Sequence, residues 1–122
     1  MKFYKCNHCG KIINEVSETF VPVICCGEKM GEIIAGTVDA SREKHIPVYQ
    51  KNGNLVEVLV GSIEHPMSPE HYIEFIVIET KNGYQLKYLK PSDAPKATFN
   101  IVDGEELVGV YAYCNLHGLW KA

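Results

Sequence analysis

A chain of 122 residues holds one ordinary domain, or one small domain with a short appendix. Its 46% hydrophobic and 22% charged content argues against disorder, and a net charge of −3 argues against a basic nucleic-acid binder or a polybasic membrane-surface module. No apolar run approaches the roughly 20 residues that span a bilayer, so neither nucleic acid nor membrane is an expected partner.

The chain opens with Met1-Lys2-Phe3-Tyr4-Lys5-Cys6, which runs into a cysteine motif without the apolar core of a secretory signal. Cytoplasmic residence is the expectation. There are five cysteines, an awkward number for a disulfide framework, so metal or redox roles are favoured. Cys6-Asn7-His8-Cys9-Gly10 is a C-x-x-C-G knuckle, whose spacing turns two thiolates toward one ion. The second pair, Cys25-Cys26-Gly27, is vicinal and can serve one ion only with local distortion. Four thiolates select zinc or iron over magnesium or calcium, with structural zinc the commoner occupant on base rate. His8 reads as an exposed loop residue. The first 36 residues hold four of the five cysteines and little apolar mass, and a unit this small seldom folds on its core alone, usually needing a metal or disulfides. A boundary is expected near Ala35–Asp39, giving domains 1–36 and 37–122.

Beyond it the chain reads as β. The strand-like runs are Ile46–Tyr49, Leu55–Val60, Tyr72–Thr80, Tyr84–Leu89, Ala97–Val102 and Leu107–Tyr113. Asn52-Gly53, Asn82-Gly83 and Asp103-Gly104 fall between successive pairs of them and predict three hairpins. From His71 to Glu79, strict alternation puts His71, Ile73, Phe75 and Val77 on one face and Tyr72, Glu74, Ile76 and Ile78 on the other. Short, regularly spaced strands predict an antiparallel sandwich.

The remaining ligand-type residues come in three clusters near loops or strand ends. They are Glu43-Lys44-His45, His65-Pro66-Met67-Ser68-Pro69-Glu70-His71, and Cys114-Asn115-Leu116-His117. Four imidazoles and one thiolate exceed tetrahedral zinc and suit a square-pyramidal iron with one side open to chemistry. Glu43 and Lys44 alone would read as an exposed charged turn. Their place directly before His45 brings them to the site. Tyr111, Tyr113 and Trp120 read as core, with Trp120 also able to shield the metal, and Met67 reads as packing. Two rivals stand beside this reading. A blue-copper protein would leave two histidines unexplained and lacks a methionine after His117. A non-catalytic zinc module would use only the four leading cysteines.

These motifs together resemble the desulfoferrodoxins, the two-iron class of superoxide reductase. The resemblance covers essentially the full length. It rests on Tyr4-Lys5-Cys6-x-x-Cys9-Gly10, Cys25-Cys26-Gly27-Glu28-x-Met30, Glu43-Lys44-His45-Ile46-Pro47-Val48, His65-Pro66-Met67-x-x-Glu70-His71-Tyr72-Ile73-Glu74 and Cys114-Asn115-Leu116-His117-Gly118-Leu119-Trp120. Lys29 stands where proline is expected, which touches no ligand. The resemblance implies an all-β chain with a desulforedoxin-like domain followed by an immunoglobulin-like sandwich. It implies one iron on Cys6, Cys9, Cys25 and Cys26. It implies a second iron with His45, His65, His71 and His117 equatorial and Cys114 axial, and no haem or flavin. Glu43 would take the sixth position on the ferric ion, and Lys44 would lie at the substrate face. The implied reaction is O2•− + e− + 2 H+ → H2O2, without release of dioxygen, in a homodimer served by a rubredoxin-like donor. Four neutral imidazoles and one thiolate leave ferrous iron a net positive charge, which with Lys44 would draw the superoxide anion. Backbone N–H groups of residues 115–117 are expected to reach the Cys114 sulfur, and each imidazole to give its second N–H to an acceptor.

Overall fold

The computed structural model describes the whole chain, Met1–Ala122, and nearly all its regular structure is β. The chain divides into two compact units, Met1–Ile34 and Ala35–Ala122.

The first unit carries five short strands: β1 (Phe3–Lys5), β2 (Ile12–Asn14), β3 (Ile24–Cys25), β4 (Glu28–Lys29) and β5 (Gly31–Ile33). β1 lies between β2 and β5, antiparallel to both, and β3 and β4 form a minimal hairpin. Its buried residues are Phe3, Cys6 and Met30, while Val16, Phe20 and Val21 are exposed. Two buried apolar side chains contribute about 1.5–3 kcal/mol each, too little to order such a unit without a cross-link.

The second unit begins with a single helical turn, α1 (Arg42–His45). Seven strands come after it: β6 (Pro47–Asn52), β7 (Leu55–Val60), β8 (Ile73–Thr80), β9 (Gly83–Tyr88), β10 (Lys96–Asn100), β11 (Leu107–Cys114) and β12 (Gly118–Lys121). They form two antiparallel sheets, ordered β10-β7-β6 and β12-β11-β8-β9. Val56, Val58 and Val60 of β7 and Phe99 of β10 meet Ile73, Ile76 and Ile78 of β8 and Val110, Ala112 and Cys114 of β11 in one core. The predicted sandwich is therefore present, with the Cys114 sulfur at its end.

Three local expectations need correction. Asn52 pairs with Leu55 and Thr80 with Gly83, so the first two hairpin loops are Gly53-Asn54 and Lys81-Asn82, one residue away from the predicted dipeptides. Asp103-Gly104 does make a tight turn, with Gly104 at φ 84° and Glu105 N–H donating to the Val102 carbonyl. It joins no hairpin, because β10 pairs with β7 and β11 with β8. The chain uses that turn to change sheets. Finally, alternation along β8 is broken: Cys114 pairs with Ile73 but Tyr113 with Phe75. This bulge at Glu74 puts Ile73 in the core beside Ile76 and Ile78, and it re-aims the chain just after His71.

The facing edges of the two sheets are covered. Gln85 Nε2 donates to the Asn100 carbonyl at 2.7 Å and Lys87 Nζ to that of Thr98, so side chains of β9 cap the outer carbonyls of β10. No helix is long and apolar enough to cross a membrane.

One glycine positions the site. A Cβ on Gly61 would lie 2.6 Å from the Glu43 carbonyl oxygen and 2.8 Å from that of Ile46. The loop after β7 thus lies directly against α1, where Ile63 N–H also donates to the Glu43 carbonyl at 3.0 Å. Gly61→Ala is expected to destabilise the unit by about 1–3 kcal/mol, since the obstacle is backbone rather than a movable side chain. A thermal midpoint equal to the parent's would contradict this packing.

Candidate metal centres

The four leading cysteines converge. The knuckle closes when Gly10, at φ 77°, donates its N–H to the Cys6 carbonyl at 3.0 Å. Cys26 and Gly27 form the centre of the β3–β4 turn, with φ 52° and 76°. Successive strand residues point to opposite sides, so the left-handed conformation of Cys26 is the distortion that turns both vicinal sulfurs to one ion. The Cys9 and Cys25 sulfurs are 3.6 Å apart and those of Cys25 and Cys26 4.0 Å. A metal–thiolate bond of about 2.3 Å gives tetrahedral edges of about 3.8 Å, so the spacing fits one ion. The N–H groups of Cys9 and His8 push the Cys6 thiol down to about 6, whereas the sulfurs of Cys9 and Cys6 push Cys25 up to about 12. Four sulfurs this close ionise together only around a cation. His8 is exposed and pairs with Glu28 at 3.1 Å.

The second cluster lies at one end of the sandwich. α1 supplies His45. The loop after β7 supplies His65, whose N–H donates to the Val60 carbonyl at 2.8 Å. A tight turn in which Ser68 and His71 exchange backbone hydrogen bonds supplies His71. The three-residue loop between Cys114 and its strand partner Gly118 supplies His117, with Gly118 at φ 76° letting β12 begin at once.

The imidazoles form a near-square. Neighbouring ring centroids are 4.7 Å (His45 and His65), 4.6 Å (His65 and His71), 5.0 Å (His71 and His117) and 4.8 Å (His117 and His45). The His45–His71 diagonal is 6.3 Å. Neighbouring planes are steeply crossed, from 75° to 89°, like propeller blades. His45, His65, His71 and Cys114 present ligand atoms within 4.8 Å of one another. His117 Nδ1 joins them, 3.0 Å from His45 Nε2 and 3.8 Å from Cys114 Sγ.

Hydrogen bonds decide which nitrogen faces the centre. His45 Nδ1 donates to the Ser41 carbonyl at 2.6 Å and His65 Nδ1 to that of Pro66 at 2.7 Å. Their Nε2 atoms therefore carry lone pairs, yet they face each other at 3.2 Å. Two acceptors at that distance repel unless a cation lies between them. His71 Nε2 is buried with no hydrogen-bond partner. A metal–nitrogen bond of about 2.1 Å separates adjacent equatorial nitrogens by about 3.0 Å, which matches the 3.0 and 3.2 Å seen. The donor set thus fits one ion held by four imidazoles and a sulfur.

Burial keeps the ligands in the required form. It pushes the His65 imidazole down to about 4 and lowers those of His45 and His71, so all three are neutral near pH 7. Burial also raises the Cys114 thiol, opposed by the N–H groups of Leu116 and His117. Those are two of the three expected sulfur donors. Metal binding must then displace the thiol proton.

Glu43 and Lys44 are exposed beside the buried His45, and the Lys44 charge bears on both His45 and His71. Its own backbone N–H holds the Glu43 carboxyl below the ordinary range. Met67 is packing: its sulfur accepts the Ile73 N–H at 3.4 Å and it lies against the core. Trp120 does more than fill space. It lies over His45 at 5.0 Å and its Nε1 donates to the His117 carbonyl at 3.0 Å. The acceptors on Ser41 and Pro66 were not foreseen, since backbone carbonyls carry no residue signal. Nor was the Asn115 side chain, although an amide beside a ligand cysteine in a short hairpin loop is a visible cue.

Comparison with known proteins agrees with this geometry. The Desulfoferrodoxin family profile matches residues 37–122. A desulfoferrodoxin homologue of Archaeoglobus fulgidus is 43% identical over 122 residues, covering 100% of this chain and 96% of that protein. The desulfoferrodoxin of Nitratidesulfovibrio vulgaris is 44% identical over 121 residues, covering 99% and 94%. The crystal structure of the superoxide reductase from Treponema pallidum matches with a TM-score of 0.83 at 38% identity, covering 99% of this chain and 97% of that one. With its sandwich matched by the family profile and its whole length by these relatives, the chain belongs to the desulfoferrodoxin family.

Proposed function

We propose that the protein is a superoxide reductase, an oxidoreductase that converts superoxide to hydrogen peroxide by one-electron reduction without forming dioxygen. The observation that carries this reading is the near-square of four imidazoles with the Cys114 sulfur beside it. The name of the Treponema pallidum relative supports it. Its cofactors are two iron ions, one on Cys6, Cys9, Cys25 and Cys26 and one on His45, His65, His71, His117 and Cys114. Residues 1–36 form the desulforedoxin-like domain and residues 37–122 the sandwich with the catalytic site, a division supported by the compactness of the two units.

When bound at the second site, iron supplies the single electron that superoxide takes up. The chain does the rest. Burial holds the imidazoles of His45, His65 and His71 neutral, so with one thiolate a ferrous ion there would leave the site a net positive charge that attracts an anion. Lys44 extends that field outward. Its ammonium also offers a proton to the outgoing peroxide. Cys114 supplies a strong electron donor, tuned by the N–H groups of Leu116 and His117. Glu43, on the same helical turn, would offer its carboxylate as a further ligand to the ion in its ferric state. The second N–H groups of His45 and His65 are anchored on carbonyls, which fixes both rings before substrate arrives.

Each turnover consumes an electron, so the protein needs a donor and takes part in electron transport; a rubredoxin-like iron protein is the donor that the family resemblance implies. The exposed Val16, Phe20 and Val21 support a homodimer. Five free thiols suit a reducing cytoplasm.

Rapid mixing of the reduced, iron-loaded protein with superoxide tests the reading. A second-order oxidation of the second iron is expected, faster at low ionic strength. Lys44→Ala should slow that step on the order of tenfold at low salt and less at high salt, since exposed charges act over about 10 Å at 0.1 M. No reaction of the parent would refute the function. An unchanged rate and salt slope in the variant would refute the steering role.

A further inference from the structure

We propose that Asn115 is a positioning residue that locks His71 to the Cys114–His117 loop. This rests on the reading of the His and Cys cluster as the iron site. The Asn115 Oδ1 accepts the Tyr72 N–H at 3.0 Å, its Nδ2 donates to the Glu70 carbonyl at 2.9 Å, and its backbone N–H donates to the Tyr72 carbonyl at 3.2 Å. An asparagine that merely shapes its own turn bonds within that turn. These three bonds leave the loop and grip the residues on either side of His71, while Oδ1 also lies 4.0 Å from the Cys114 sulfur within the loop. The buried Nε2 of the His71 imidazole has no hydrogen-bond partner, which leaves it as the nitrogen for the ion. His45 and His65 are anchored by their ring N–H groups on carbonyls. For His71 the backbone clamp from Asn115 fixes the ring's approach to the centre. Because Asn115 directly succeeds Cys114, one side chain couples the sulfur ligand to an imidazole from a separate loop.

The test uses the full-length, iron-loaded protein. Two quantities are read: the thiolate-to-iron absorption of the second site and the rate at which that iron is lost to a chelator. Asn115→Ala should shift the band and speed iron loss by about 10- to 100-fold. In a His71→Ala background the same substitution should change the loss rate by less than about twofold, because the clamp then holds no ligand. Asn115→Asp keeps the acceptor for Tyr72 and loses the donor for Glu70. Its added negative charge would tighten a nearby cation, so faster iron loss in this variant marks lost positioning. It also decides the matter if Asn115→Ala does not fold. Parent-like bands and loss rates, or equal acceleration with and without His71, would overturn the clamp. A parent protein with no thiolate-to-iron band would instead overturn the metal reading itself.

Discussion

Cys114→Ser should abolish superoxide reduction and erase the thiolate-to-iron absorption of the second site. The sulfur is fully buried at the end of the core, 3.8 Å from His117 Nδ1. A serine hydroxyl does not ionise under conditions where a metal-bound thiol does, so the substitution removes both the charge and the soft donor. Loss of a supporting contact around a metal typically costs about 10- to 100-fold, and loss of a ligand should exceed that range. The buried hydroxyl adds a stability cost of about 1–3 kcal/mol if it finds no partner. Circular dichroism and the thermal midpoint therefore accompany the rate measurement. A folded variant with full turnover and an intact band would show that Cys114 is not a ligand.

Cys26→Ser should have the opposite profile. It removes one of four sulfurs from a unit whose buried residues are Phe3, Cys6 and Met30, so the ion does most of the ordering. Structural zinc in small domains contributes apparent free energies of about 10–16 kcal/mol, and a comparable loss here would unfold residues 1–34. The expected results are loss of the first iron, rapid proteolysis within the first unit, and superoxide reduction that persists with a surrogate electron donor. If the second iron could no longer be reduced by any donor, the first site would be an obligatory relay.

The sequence made some of this arrangement legible and hid the rest, for physical reasons. Cysteine knuckles are local, so Cys6, Cys9, Cys25 and Cys26 could be grouped from spacing alone. The strands were legible through β-branched runs and Asn-Gly dipeptides. A dipeptide signals a tight turn but not the sheet that the next strand joins, so the sheet change at Asp103-Gly104 looked like a hairpin. Strict period-2 reading failed at Glu74, where one inserted residue moves Ile73 into the core. The convergence of His45, His65, His71 and His117 depends on long-range pairing, and here the family resemblance supplied what periodicity could not. The carbonyls of Ser41 and Pro66 that fix two imidazoles belong to the backbone and leave no trace in residue identity.

The mechanism stands on four imidazoles and one sulfur holding a single redox ion that hands one electron to superoxide. Product stoichiometry on the iron-loaded protein reads that transfer without an intermediate assumption. With a steady electron donor and a measured flux of superoxide, one hydrogen peroxide should form per superoxide consumed, with no dioxygen beyond background and donor oxidation in step. Dioxygen released at half the rate of superoxide loss, with the donor untouched, would mean dismutation and would contradict the mechanism.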